Sequence, residues 1–333
     1  MRILHRVGGL AAVAALAVGL VASTASSGHA TQSSAYNAGV TRLSLTGSRQ
    51  LDTLVWYPTK DAEVPFKAGP FTVPATRDAG VADGRFPVVL LSHGGGPTGG
   101  SPMILKELSA ALARNGFLVI APMHRDTPLL ARPAQVAAAL AGVTADPRFA
   151  GHADAERLGM AGFSLGGAVT IALAGGVPNP AALAAYCEKH PEDIRSCDAG
   201  PGSRGGKAGN RPKTGTSGKR PPPPHLPVKA LALLDPFGVL FDEKGLSGVA
   251  AATLLIRPQD SSLGIANTEV LAAGIDAAHR ETIPGGHFVF TDDCPDALKA
   301  DAEGLCTDPP GIDRAAIRTG MAKTVAEFFR KTL

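Results

Sequence analysis

Beyond residue 30 the sequence has no apolar run long enough to cross a bilayer, no Cys-x-x-Cys pair and no stretch in which basic and aromatic residues alternate. The first absence leaves no internal membrane span. The second removes the usual ligand spacing of a small zinc site, so no metal is implied. The third argues against a nucleic-acid partner, since base stacking needs aromatic side chains among the charges. The one strong apolar run, Val7 to Ala22, follows Arg2, His5 and Arg6 and leads into small residues, with cleavage positions after Ala30 or Ala25. That order reads as a secretory signal peptide over residues 1–30 and predicts a secreted or periplasmic protein. The run is short and made mostly of Ala, Gly and Val, so stable membrane insertion after cleavage is not expected. No cysteine follows it, which argues against a lipoprotein anchor.

Cysteine is scarce, and its even number is informative in an oxidising compartment. Cys187 lies near Cys197, and Cys294 near Cys306. Two local disulfides, 187–197 and 294–306, are the simplest of the three connectivities. The formal net charge of +3 is unevenly placed. Arg204, Lys207, Arg211, Lys213, Lys219 and Arg220 crowd one Gly/Pro/Ser-rich segment, residues 198–226, that ends in Pro221 to Pro224. Without that segment and the leader arginines the remainder carries about −4 by formal counting. The segment buries too little apolar surface to order itself and reads as a flexible basic insertion. Contact with anionic surface polymers is one use it could have. The organisation expected is a single domain over residues 31–333, with a cap and insertion at about 178–227.

"GVTRLSLTG" and "LDTLVWYP" alternate apolar and polar residues around a Gly-Ser turn and predict an antiparallel hairpin. "FPVVLLSHGGG", "GFLVIAP", "RLGMAGFS", "VKALALLDP" and "AATLLIRPQD" are continuous apolar runs, as strands buried on both faces require. Helical spacing falls between them, at 102–115, 132–140, "LGGAVTIALAGG" and 265–275, and a short strand "RETIP" follows. The last helix starts at Asp313, an N-cap, with Ile317, Met321, Val325 and Phe328 as its apolar face. Such alternation predicts an α/β fold: a mostly parallel sheet of about eight strands, with helices on both faces.

In that architecture chemistry sits beyond the carboxyl ends of the strands. "GFSLG" places Ser164 where a strand turns into a helix, and the flanking glycines allow the sharp turn that exposes a nucleophilic hydroxyl. A serine nucleophile needs a base, an acid and an oxyanion hole. His287, in "PGGHFVF" after the last strand, is the candidate base. The glycine cluster after "VVLLSH" supplies backbone amides, and those of Gly95 and Leu165 are the candidate oxyanion donors. His93 is expected to buttress that turn. Two acids compete. Asp260 ends "LLIRPQD" and is preferred; Asp235 ends "ALLDP" and is the alternative. Phe163, Phe237 and Phe288 are candidates to line an apolar pocket, and residues 178–197 to cap it.

"LVWYP", "LLSHGGG", "NGFLVIAPMHRDT", "RLGMAGFSLGGA", "FDEKGL", "PGGHFVF" and "CTDPPGIDRAAI" occur in the order seen in secreted dienelactone-hydrolase-like α/β hydrolases. The chain resembles that group, itself similar to platelet-activating-factor acetylhydrolases, over nearly all of residues 39–333. The resemblance implies an α/β-hydrolase fold with Ser164 as nucleophile, His287 as base and Gly95 and Leu165 as oxyanion donors. One branch implies Asp260 as the acid and the other Asp235. Dienelactone hydrolases proper use a cysteine nucleophile, so Ser164 turns the expectation toward carboxylic esters, small or lipid-like. No cofactor is implied. A hydrolase of polyester or lipid surfaces is the alternative, and a non-catalytic binding protein on the same fold a more distant one.

Overall fold

The uninterrupted apolar runs become the middle of one sheet, because only there are both faces of a strand covered. The structure, a computed structural model, describes residues 35–45, 50–95, 100–125, 127–199, 223–276, 278–299 and 303–333. The expected signal peptide and nearly all of the basic insertion lie outside them. Residues Ser34–Leu333 form one compact unit. Its strands are β1 (Asn37–Leu45), β2 (Leu51–Thr59), β3 (Phe66–Ala68), β4 (Phe71–Val73), β5 (Thr76–Arg77), β6 (Phe86–Ser92), β7 (Leu118–Pro122), β8 (Ala153–Phe163), β9 (Ala230–Leu234), β10 (Ala252–Asp260) and β11 (Ala278–Gly286). Nine of them form a sheet in the order β11-β10-β9-β8-β6-β7-β2-β1-β5. The six from β6 to β11 pair in parallel, whereas β2 runs antiparallel to both β7 and β1. The β1–β2 hairpin is the one its alternating sequence predicts. A separate two-stranded hairpin, β3–β4, has strands of three residues, too short for a periodic signal.

The helices are α1 (Lys106–Arg114), α2 (Arg132–Ala145), α3 (Leu165–Leu173), α4 (Pro180–Lys189), α5 (Ile194–Ala199), α6 (Glu243–Leu246), α7 (Ala266–Gly274), α8 (Asp296–Lys299), α9 (Glu303–Cys306) and α10 (Arg314–Thr332). Two apolar clusters, one on each face of the sheet, form the core. Val136 and Val143 of α2, Val169 of α3 and Leu271 of α7 belong to one; Leu108 and Leu112 of α1 and Met321, Val325 and Phe329 of α10 belong to the other. α3 is buried along its whole length, as its lack of any charged residue requires. The Asp313 side chain caps α10 by accepting from the Ala316 N–H at 2.9 Å. The buried face of α10 is turned slightly from the expected one: Phe329 is fully buried, while Phe328 is half-buried. Both disulfides are those of the local connectivity, Cys187–Cys197 and Cys294–Cys306.

The pairing register levels the strand ends. Phe163 stands opposite Leu234, and Leu234 opposite Ile256. Residues 164, 235 and 257 therefore lie at one height, where β8 and β9 end and β10 continues.

Candidate active site

Ser164 follows β8 directly, with φ 55° and ψ −121°, a conformation that a non-glycine residue adopts only under constraint. The constraint is visible. The Ser164 N–H donates to the Leu234 carbonyl at 3.1 Å, and its own carbonyl accepts from Gly167 at 2.9 Å and Phe237 at 3.0 Å. A Cβ on Gly166 would run into the Ser92 carbonyl, so glycine is needed for α3 to start this close to β6. The hydroxyl is left at the N-terminus of a nine-residue helix, where developing negative charge is favoured.

His287 follows Gly286 at the end of β11 and is buried. Its Nε2 lies 3.0 Å from Ser164 Oγ and its Nδ1 2.6 Å from Asp235 Oδ2. A carboxylate only accepts, so Nδ1 carries the proton and donates it to Asp235, and Nε2 accepts from the serine hydroxyl. The Phe163 ring packs against the imidazole at 4.9 Å between centroids, tilted by 30°, and fixes its plane.

Asp235 is fully buried, with φ 41°. Besides His287, its Oδ2 accepts from Ser261 Oγ at 2.5 Å, and Arg257 reaches Oδ1 at 3.5 Å. Arg257 is in turn fixed by the Leu263 carbonyl at 2.8 Å. A buried carboxylate requires such partners to remain charged. The preferred acid, Asp260, is not at the site. β10 continues past the level of Ser164, so Asp260 lies three residues beyond Arg257, opposite Gly286 and exposed to solvent. Asp235 is one residue past the sheet edge, beside Ser164. Strand length and register thus place the alternative acid, Asp235, against the histidine.

The turn after β6 meets Ser164 from the other side. A Cβ on Gly94 would be 3.0 Å from the Ser164 Cβ, and Gly95 has φ 87°. Among the described residues neither the Gly95 nor the Leu165 N–H has an acceptor, so both are free for an oxyanion. His93 Nε2 accepts the His124 N–H at 3.2 Å, which leaves Nδ1–H to donate to the Gly94 carbonyl at 2.7 Å. His124 Nδ1–H donates to Gln135 Oε1 at 2.9 Å, and its Nε2 accepts from Ser92 Oγ at 3.0 Å. Both rings are therefore neutral. Burial pushes His93 down to about 4, and burial with the neighbouring His93 holds His124 well below its ordinary value. Arg132, fully buried at the start of α2, donates to the Gly95 carbonyl at 2.7 Å; burial lowers its guanidinium to about 10.

Two further elements frame the site. α4 and α5, linked by Cys187–Cys197, dock on the loop before α7 through Asp193, whose carboxylate accepts from Tyr186 Oη at 2.8 Å and the Gly264 N–H at 3.0 Å. From α5 the Arg195 guanidinium lies over the Phe288 ring, 4.9 Å from its centroid, next to His287. Phe288 is half-buried, whereas Phe163 and Phe237 are core residues. The histidine turn is anchored by Asp292, which pairs with buried Lys106 at 3.3 Å and accepts from the Glu107 N–H at 3.1 Å.

The sequence reading missed Arg132, Arg195, Arg257 and Ser261. A lone arginine inside the otherwise apolar "ATLLIRPQD" was a signal for Arg257, because a cation in a buried run implies a nearby anion. Arg132 gave no signal, since arginine at a helix start is ordinary.

No family model matches this chain, and no curated protein matches it in sequence. Among solved structures it is similar to a ferulic acid esterase from Streptomyces cinnamoneus, with a TM-score of 0.57 and 18% identity over 91% of this chain and 92% of that one. It also aligns with a dienelactone hydrolase from Anabaena variabilis ATCC 29413, at a TM-score of 0.43 and 16% identity, over 88% of this chain and 99% of that one. The sheet order and the first similarity define the class: an α/β fold of the α/β-hydrolase kind.

Proposed function

We propose that this protein is an exported serine esterase that cleaves carboxylic esters through an acyl-enzyme. The observation that carries the reading is the hydrogen-bonded chain Ser164–His287–Asp235, at 3.0 and 2.6 Å, drawn from three separate strand ends. His287 Nε2 takes the serine proton as Oγ attacks the ester carbonyl. The imidazolium that forms is stabilised by the Asp235 carboxylate, which Arg257 pairs at 3.5 Å. The tetrahedral oxyanion falls to the amides of Gly95 and Leu165. His287 then gives its proton to the leaving alcohol, and water releases the acid by the same path. Nothing in this sequence of steps calls for a metal or cofactor.

The substrate we propose is a small or lipid-like ester that enters beneath α4 and α5. The ferulic acid esterase similarity is compatible with this but speaks only for the fold. The two disulfides and the N-terminal leader support export to an oxidising compartment.

Hydrolysis of p-nitrophenyl esters of increasing acyl length, with Ser164→Ala as control, tests the reading. Ser164-dependent turnover that falls beyond short chains fits a small-ester hydrolase with a confined pocket. A rise toward long chains replaces this with a lipid- or polyester-surface hydrolase. Turnover that survives in Ser164→Ala, or none on any ester, contradicts the proposal.

A further inference from the structure

A cavity of about 720 Å³ opens between the β1–β2 hairpin, the β3–β4 hairpin and the ends of β7 and the turn before α1. Neither Ser164, His287 nor Asp235 lines it. Its size is that of a small-ligand site. Trp56 and Leu54 form a buried floor, and Phe66, Phe71 and Met123 form half-buried walls. The part of Phe66, Phe71 and Met123 that remains accessible is apolar surface gathered in one concavity, which is costly to leave in water. The polar groups on the rim are unbalanced. Three arginines, 42, 77 and 125, face it with one carboxylate, Asp78. Arg42 is neutralised by Asp52 at 2.5 Å, and Asp78 accepts from Thr41. Arg77 and Arg125 have no carboxylate within salt-bridge distance among the described residues. Arg77 lies over the Phe66 ring, 4.2 Å from its centroid, which orients its guanidinium at the apolar wall.

From this combination we infer that the cavity is a binding site, separate from Ser164, for a monocarboxylate with an apolar body. The body replaces water over the half-buried Phe66 and Phe71 above the Trp56 floor, and the carboxylate lies between Arg77 and Arg125. A guanidinium recognises a carboxylate by paired hydrogen bonds, and a neutral or cationic amphiphile has nothing to offer there.

The chain contains one tryptophan, and it is Trp56, so its emission marks the cavity floor. The full-length mature protein carrying Ser164→Ala is titrated with decanoate below its micelle concentration, by calorimetry and by Trp56 fluorescence. Decanol and decyltrimethylammonium serve as the neutral and cationic comparisons. This needs no turnover, so it stands or falls independently of the esterase reading. Saturable heat with a parallel change in Trp56 emission is expected for decanoate alone. Arg77→Gln with Arg125→Gln should raise the dissociation constant at least about tenfold. Ala68→Phe, which narrows the cavity from the peripheral hairpin and keeps both arginines, should weaken binding as well. Equal response to decanol, binding indifferent to both variants, heat without a change in Trp56 emission, or no binding would each overturn the assignment.

Discussion

The two sides of Ser164 are built on opposite electrostatic plans. On the β9–β11 side, Arg257, Asp235 and His287 form one hydrogen-bonded line ending at Ser164 Oγ. On the β6–β7 side, two neutral histidines hold one another and the turn, and a single buried guanidinium grips the Gly95 carbonyl. In the proposed mechanism the first side carries the serine proton, with the Asp235 carboxylate opposite the imidazolium. The second side gains nothing from a proton: His93 and His124 each use one ring nitrogen as an acceptor, and protonation would break the turn. In the proposed mechanism one half carries the proton and the other holds the Gly95 and Leu165 amides for the oxyanion.

Substitutions on each side should separate these tasks. The largest effect is expected from His287→Ala, which removes the proton carrier. Its kcat on a p-nitrophenyl ester should fall on the order of 10⁴-fold or more with the circular dichroism spectrum unchanged. Arg132→Gln should give a smaller loss on the other side, on the order of 10²-fold in kcat with KM nearly constant, because only the oxyanion geometry is loosened. A loss confined to KM would mean that Arg132 positions substrate rather than the Gly95 peptide.

The smallest effects concern stability. Burial holds His93 near 4, below its ordinary 6.5. Between those values the unfolded chain takes up a proton that the folded chain refuses. The stability it contributes is therefore complete above about pH 6.5 and is lost as pH falls toward 4, by about 3 kcal/mol in all. Thermal melts of wild type and His93→Gln over this range should show the flatter acid limb in the variant, and parallel limbs would contradict a neutral His93. Asp292 works in the opposite sense: burial pushes it up to about 6, so its contribution is complete below about 4 and lost as pH rises through 6. Asp292 is unaltered in both proteins, so its opposite slope cancels in the difference between the melts, which reports the His93–His124 pair.

Much of this arrangement was legible in the residues. The buried strands declare themselves by continuous apolar composition, and "GFSLG" marks the strand-to-helix turn at which Ser164 stands between β8 and α3. His287 stands out by its place after the last strand. The acid was not legible, because Asp260 and Asp235 both end apolar runs in the sequence. The choice depends on how far each strand runs past its neighbour, and that is a property of pairing: Leu234 faces Phe163 and Ile256, which puts Asp235 and Arg257 level with Ser164 and leaves Asp260 beyond the edge. The three-residue strands β3 and β4, which wall the cavity over Trp56, were invisible for a simpler reason: they are too short for a two-residue alternation to repeat.

The central claim is that Asp235, and not Asp260, orients His287. The direct measurement is kcat/KM for p-nitrophenyl butyrate in Asp235→Asn beside Asp260→Asn, with wild type as reference. The structure predicts a loss on the order of 10³- to 10⁴-fold for Asp235→Asn and a change within about twofold for Asp260→Asn. A large loss in Asp260→Asn, or equally mild losses in both, would contradict it.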